Sequence, residues 1–267
     1  MNRRQLLALL PAAAWGQSAA MRRGREIVDQ VVAALGGDKF LAMEDRTEAG
    51  RMYSFYREQL RGLSKATLYT RYLTAPAGPP DGKVYQRERQ SFYRDAKKED
   101  YAILFDEQKG WSITYRGATP LPAENVNRYR DTTLRNLFYI LRQRLQEPGL
   151  IIEFTGSEIV DNVPVDRVTF TDSDNTSVVA DFHKSTHLPV RQIFHRRDPV
   201  TRERHEELTR FDKFRDVGGV KWPFNFQRER DGERIFQLFS ESVTINTGLT
   251  DNLFTLSSEM KVLPPPR

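Results

Sequence analysis

The 267-residue sequence contains no cysteine, only four histidines, and no long apolar run beyond its first twenty residues. Without cysteine the chain forms no disulfide and carries no lipid-modified cysteine, so the protein must be held together by its core. Without a second apolar run, the sequence predicts no membrane-spanning helix. It also lacks a G-x-S-x-G motif, a glycine-rich phosphate loop and a cysteine nucleophile. These absences indicate a protein that is not an enzyme and needs no cofactor.

The N-terminal stretch "MNRRQLLALLPAAAWGQSAA" has the pattern of an export signal. A basic start at Arg3 and Arg4 leads into an apolar run too short for a membrane span, followed by small residues. The arginine pair also fits the twin-arginine pattern, so both export routes stay open. Cleavage after Gly16 or Ala20 would release the chain. We expect a signal at 1–20, a single domain at 21–267, and a periplasmic or secreted protein.

The charge pattern argues against nucleic acid as a partner. The formal net charge is +5, and loss of Arg3 and Arg4 with the signal would lower it to +3. Basic residues are interleaved with acidic ones along the chain, whereas nucleic-acid sites collect basic residues on one face. Such a mild positive excess is compatible with contact to anionic lipid headgroups.

Hydrophobic periodicity predicts a mainly β protein with two helices. Apolar residues repeat at helical spacing over about 23–35, where Gly36 follows, and again over about 131–146, before Pro148. The remaining segments alternate with period two and are joined by short turns, which predicts an antiparallel meander of about eleven strands. A sheet of that size must curl, and its apolar concave face needs a helical cover. The predicted fold is a half-barrel covered by two or more helices.

The four histidines all fall within 181–205, in "DFHKSTHLPVRQIFHRRDPVTRERH", and raise the question of a metal site. Symmetric pairing about Ser185-Thr186 would place His195 opposite about Thr176, roughly 23 Å along the ladder from His183. These two cannot share a metal ion, whose ligand atoms lie within about 2.2 Å. His183 and His187 could meet near the turn with Asp181, but we interpret all four as surface residues of two adjacent hairpins and expect no metal.

Several motifs in order along the chain resemble the LolA-like family of outer-membrane lipoprotein carriers. The C-terminal part matches a "G-V-x-x-P" strand, a strand ending in Ile-Asn and an "acidic-x-x-Phe" tail, at 219–223, 245–246 and 251–254. Earlier segments that are similar are "AALGGDKFLAM", "FDEQKGWSITY" and the "D-x-x-T-x-L-P-x-R" hairpin at 181–191. The resemblance covers most of the chain after the signal.

The resemblance implies a half-barrel that holds acyl chains in an apolar cavity beneath a helical lid. The implied partners are an acylated lipoprotein or lipid and transport partners at the inner and outer membranes, and we expect a monomer. An arginine that hydrogen-bonds the lid is implied too, for which Arg71 and Arg89 are candidates. The hypothesised lid residues are Leu134, Leu137, Phe138 and Leu141, and the hypothesised inward-facing strand residues are Phe55, Leu68, Ile103, Trp111, Val168, Phe182 and Phe226.

Three alternatives stay open at this level. The stripe on the second helix fits a permanent core as well as a movable lid, and the inward side chains fit a filled sheet–helix core as well as a cavity. An envelope sensor or interaction protein would use the same fold to dock a protein partner and would have a fully packed interior. A secreted metal-dependent hydrolase would bind zinc through His183 and His187.

Overall fold

A computed structural model describes residues 18–74, 84–94, 98–106, 109–198 and 200–265. The region of the expected export signal, residues 1–17, lies outside the described residues. The first helix, α1 (Ala19–Leu35), begins where the Ser18 hydroxyl accepts a hydrogen bond from the Met21 N–H at 3.1 Å. It ends at Gly36, whose φ of 127° is unfavourable for a residue with a side chain. None of the described helices is long and apolar enough to cross a bilayer.

In the described part of the chain, thirteen antiparallel strands form one sheet in the order β6-β5-β4-β3-β2-β1-β13-β12-β11-β10-β9-β8-β7. Strands β1 to β6 form one meander and β7 to β13 a second, β1 pairs with β13 and so joins them, and β6 and β7 form the two edges of the sheet. The strands are β1 (Asp45–Tyr56), β2 (Gln59–Tyr72), β3 (Gln86–Tyr93), β4 (Glu99–Phe105), β5 (Gly110–Thr114), β6 (Gly117–Pro120), β7 (Ile151–Val160), β8 (Val163–Thr171), β9 (Ser177–His183), β10 (Pro189–Arg197), β11 (Arg204–Val217), β12 (Val220–Arg230) and β13 (Glu233–Ile245).

The mainly β prediction is confirmed, but the sheet has thirteen strands where the sequence predicted about eleven. The segment "YAILFDEQKGWSITY" forms two strands, β4 and β5, because the chain turns between Asp106 and Lys109. The short strand β6 has the sequence "GATP", whose small residues and proline give no β pattern. Both differences arise at strands that are too short to show a recognisable period-two pattern.

The helix predicted at 131–146 is divided in the structure. One helix, α3 (Ala123–Leu134), starts earlier and ends at Arg135, and a second, α4 (Leu137–Tyr139), continues into a π-helical turn over Ile140–Arg144. The break lies at Asn136, whose side-chain oxygen accepts a hydrogen bond from the Tyr139 N–H at 3.2 Å. Asparagine favours this capping role over a place inside a helix, so the chain restarts there.

The main core lies between the sheet and α1 together with the segment 137–144, and a short helix, α2 (Asp38–Leu41), contributes Phe40. Helix α1 approaches strand β7 so closely that a Cβ on Gly24 would lie 2.8 Å from both the Ile152 carbonyl oxygen and the Phe154 nitrogen. A glycine in the middle of a helix is otherwise unfavourable, so its place here reflects this close contact. Part of the sheet is thereby filled with side chains.

The C-terminal segment covers the other face of the sheet near β4–β6. A 3₁₀ turn (Asp251–Phe254) places Phe254 in a second cluster with Leu104 and Ile113. Asp45 holds the start of this segment, because its carboxylate accepts hydrogen bonds from the N–H groups of Thr247, Gly248 and Leu249 at 2.8–3.0 Å. The C-terminal segment is therefore an integral part of the domain.

Candidate functional site

A cavity of about 700 Å³ lies on the inner side of the sheet, outside the filled part. It extends across strands β1 to β4 and β10 to β13, which contribute alternate residues, and α3 closes it from the opposite side. Alternate residues of a strand point to the same face, so one set from each strand lines the cavity. The lining includes Arg46, Glu48, Leu68, Thr70, Gln86, Glu88, Phe92, Ile103, Phe105, Tyr129, Phe138, Phe194, Arg196, Glu207, Thr209, Trp222, Phe226, Arg228, Arg230, Phe236 and Leu238.

Four of the residues proposed from the sequence line the cavity: Leu68, Ile103, Phe138 and Phe226. The others lie elsewhere. Those within the main core are Leu137, Leu141, Val168 and Phe182, each of them at most 1 % exposed. Trp111 packs in the second cluster, because it pairs with Leu104 on the opposite face of the sheet. Phe55 packs beneath the Arg234 guanidinium, 4.2 Å from its ring centroid, and Leu134 ends α3 half-buried.

Helix α3 is a weakly buried part of the cavity wall. Only Thr133 of its twelve residues is buried. The Tyr129 ring stacks on Phe105 with 3.8 Å between ring centroids, and its hydroxyl accepts a hydrogen bond from Gln86 at 3.0 Å. The Thr132 hydroxyl accepts a second hydrogen bond from Arg196 at 2.8 Å. A few side chains therefore connect α3 to the strands beneath it.

The segment after α3, by contrast, is fixed in place. Leu137, Phe138, Tyr139, Ile140 and Leu141 are all buried. The segment is also hydrogen-bonded to its neighbours. The Leu137 N–H donates to the Gln192 side-chain oxygen at 2.7 Å, and the Gln143 side chain donates to two backbone carbonyl groups at the β2–β3 junction, both at 3.0 Å. The segment 137–144 is therefore part of the main core, to which α3 contributes no residue.

The β1 and β3 side of the cavity carries two carboxyl groups, Glu48, which is buried, and Glu88, which is half-buried. The Glu48 carboxylate accepts a hydrogen bond from Ser240 and lies 3.5 Å from the Arg46 guanidinium, which stacks on Trp222. Burial raises the pKa of Glu48 in spite of the opposing effect of Arg46. Burial likewise raises the pKa of Glu88, whose carboxylate accepts a hydrogen bond from the neighbouring Gln90. Both groups bind a proton more readily than exposed glutamates do.

The opposite side of the cavity is basic. Arg230 donates two hydrogen bonds, at 3.0 and 2.8 Å, to one oxygen of Glu207, which is 3 % exposed. Arg228 lies 3.8 Å from the other Glu207 oxygen, and Arg196 lies 4.0 Å from the first. Burial lowers the pKa of both Arg196 and Arg228, because a charged guanidinium is less stable away from water. Three arginines thus surround a single carboxylate.

The sequence analysis identified neither charged wall. Both walls include a "QRER" segment, at 86–89 and 227–230, whose alternating charges are typical of a solvated strand face. In each segment one alternate set of residues points into the cavity: Gln86 and Glu88 in the first, Arg228 and Arg230 in the second. The period-two charge pattern itself is the signal, but it does not reveal which face is the inner one. The arginines considered as lid contacts lie outside the cavity lining, Arg71 paired with Asp251 at 2.7 Å and Arg89 paired with Glu99 at 2.8 Å.

The histidines lie at the ends of the β9–β11 hairpins. The observed register pairs Phe194 with Val178, which agrees with the expected pairing and separates His195 from His183. The His183 ring nitrogen accepts hydrogen bonds from the turn N–H groups of Ser185 and Thr186, and His205 bonds Asp231 at 2.7 Å. Within the described residues, no three His, Cys, Asp or Glu side chains are grouped as metal ligands.

No family model matches the sequence, and a search of curated proteins gave no significant match. Solved structures resemble this protein over most of its length. A putative outer membrane lipoprotein-sorting protein domain from Vibrio parahaemolyticus has a TM-score of 0.57 at 12% identity, with 88% of this chain and 97% of the other covered. A LolA superfamily protein from Nitrosomonas europaea has a TM-score of 0.55 at 12% identity, covering 87% and 97%. The chain has a LolA-like fold.

A DUF1329 family protein from Desulfovibrio piger shares this LolA-like fold, with a TM-score of 0.59 at 14% identity and coverage of 89% and 98%. The three structures cover 87–89% of the present chain and are themselves covered to 97–98%. At these identities the similarity establishes the arrangement of the strands and helices, and the chemistry of the cavity has to be read from this chain's own residues.

Proposed function

We propose that the protein is an exported carrier or binding protein for lipids or acylated proteins, which holds an acyl chain in the cavity beneath α3. The observation that carries the proposal is the 700 Å³ cavity on the inner side of the sheet. Its volume falls within the range of small-molecule sites, about 300–1,000 Å³. A sheet that served only as a scaffold would be filled by side chains, since protein interiors are close-packed.

The apolar part of the lining suits a hydrocarbon chain. Phe92, Ile103 and Phe105 line one side of it and Phe226, Phe236 and Leu238 another. Each methylene transferred from water into such surroundings contributes about 0.8 kcal/mol. A chain of several methylenes could therefore outweigh the few contacts that hold α3 closed. The lid in this proposal is α3, with its single buried residue, and the stripe at Leu137 and Leu141 is permanent core.

Release of the cargo requires that the closed and open states of α3 differ by only a few kcal/mol. One ring stack and a few side-chain hydrogen bonds, including the bond from Arg144 to the Leu134 carbonyl at 2.6 Å, match that requirement. The proposed location is the periplasm or the medium, as the export pattern at the N-terminus indicates. A docking protein with a filled interior is the weaker alternative, because the cavity has no role in it.

The proposal is tested by filling the cavity. Thr209 lines it, whereas Thr244 is exposed on β13, so Thr209→Trp and Thr244→Trp make the same chemical change in two places. We expect Thr209→Trp to weaken binding of a fluorescent fatty acid at least about tenfold and Thr244→Trp to leave it unchanged, since only the first removes cavity volume. Native mass spectrometry of exported wild-type protein should also detect extractable lipid. Wild-type protein that neither carries lipid nor binds the probe would refute the proposal.

A further inference from the structure

The basic wall of the cavity has more positive charge than its own residues can balance. Arg196, Arg228 and Arg230 contribute three positive charges, and Glu207 contributes the one negative charge among them. Asp131 and Arg135 of the α3 region lie near Arg196 and offset each other. The group therefore has an excess of two positive charges at the edge of a partly enclosed cavity.

The hydrogen bonding of this group is incomplete as well. Within the described residues, Glu207 Oε2 and the Arg196 Nε are buried and have no hydrogen-bond partner. A buried charged group without full hydrogen bonding is expensive, and single buried pairs stabilise a fold little better than apolar residues of similar size. Packing alone therefore gives no reason for three arginines at this position.

The arginines are also placed to meet a ligand. Arg228 and Arg230 lie two residues apart on β12, so both point to the same side, and Arg196 reaches the same place from β10. The Arg228 side chain lines the cavity and keeps a third of its surface exposed, although Glu207 is almost completely buried beside it. Planar guanidinium groups match the oxygen geometry of phosphate and carboxylate groups.

We propose that this arginine cluster binds the anionic headgroup, phosphate or carboxylate, of the lipid whose acyl chain occupies the apolar part of the cavity. The inference rests on the proposed function and adds the substrate class: anionic lipids over neutral or zwitterionic ones. Glu207 lies among the three arginines, where the headgroup would bind. The cluster also contacts the lid, since Arg196 donates to Thr132 of α3 at 2.8 Å. A headgroup that draws Arg196 away would weaken the closed position of α3 and so connect headgroup recognition with lid movement.

The test compares two fluorescent lipids with identical acyl chains, one with a phosphoglycerol and one with a phosphocholine headgroup. Wild-type protein should bind the anionic lipid about tenfold more tightly, and Arg228→Gln or Arg230→Gln should reduce this preference to about twofold or less. Arg197→Gln is the matched control, because Arg197 follows Arg196 on β10 but is exposed and lies outside the cavity lining. Retained binding of the phosphocholine lipid by the variants verifies that they are folded.

Equal affinity of wild-type protein for the two lipids would overturn the headgroup inference and leave the proposed function standing. Absence of binding to either lipid would overturn both. A third arm measures the unfolding temperature with millimolar inorganic phosphate. Stabilisation by phosphate that depends on Arg228, without any preference between the lipids, would assign the cluster to a soluble anion and refute the lipid source.

Discussion

Removal of the Tyr129 side chain should open the lid without unfolding the protein. Tyr129→Ala deletes the ring stack with Phe105, worth about 1 kcal/mol, and the hydrogen bond from Gln86, worth about 1 kcal/mol. Loss of the apolar area of a half-buried ring adds about 1 kcal/mol. The closed state of α3 should thus lose about 3 kcal/mol, which corresponds to a hundredfold or greater increase in its open fraction.

Hydrogen exchange measures this effect residue by residue. Amides of α3 should exchange about a hundredfold faster in Tyr129→Ala and lose most of their protection, while amides at 137–144 stay protected and the thermal unfolding temperature falls by about 6–12 °C, as a loss of about 3 kcal/mol predicts. Tyr115→Ala is the matched control, because Tyr115 is 84% exposed and should leave all three measurements unchanged. Dissociation of a bound fluorescent fatty acid should accelerate in parallel with α3 exchange. Unchanged α3 exchange together with a large loss of thermal stability would mean that α3 is permanent core, and the lid assignment would be wrong.

Two further predictions concern stability. Burial raises the pKa of Asp45, but the hydrogen bonds from Thr247, Leu249 and Gly248 outweigh it and lower the pKa below its usual 3.8. Asp45→Asn should therefore lower the free energy of unfolding, measured in urea at pH 7, by about 3 kcal/mol. The difference in unfolding free energy between wild type and variant should become smaller as the pH falls below 3.8, because the wild-type carboxylate is then protonated as well. A difference that does not depend on pH would contradict the reasoning. Gly24→Ala should lower the free energy of unfolding, measured in the same way, by about 2 kcal/mol or more, because the added Cβ would overlap the β7 backbone. Helix propensity alone predicts that alanine stabilises the helix, so a more stable variant would contradict the close packing of α1 on β7.

The architecture was largely predictable because long strands and short turns leave a clear period in the sequence. The meander, the covering helix α1 and the register of the β9–β10 hairpin follow from that period and from turn geometry. The hairpin motif from Asp181 to Arg191 also has a structural explanation, since the two residues form an ion pair at 2.6 Å across the strands. Such pairs involve residues close in sequence, and local patterns are sufficient to identify them.

The division of the second helix at Asn136 was not predictable from periodicity. The apolar stripe continues through the break at helical spacing, so Leu134 and Leu137 share one pattern although they belong to different elements. Only tertiary contacts separate them: residues from Leu137 onward enter the core, while α3 lies over a cavity that offers little to bury. A hydrophobic stripe indicates burial but does not indicate what lies on the other side.

Whether the charged residues of a strand face the cavity depends on the curvature of the sheet, and for that reason the charged walls are informative about function. A strand with charges at every second position is stable in water, and nothing in its own sequence turns it inward. Glu88 on β3 and Arg228 on β12 point inward because distant strands bend the sheet around them. At some positions the local sequence pattern predicts a solvent-exposed residue, but the fold places that residue inside. These are the positions where stability is sacrificed for function. Here such positions line the cavity beneath α3, where a lipid headgroup would need such groups.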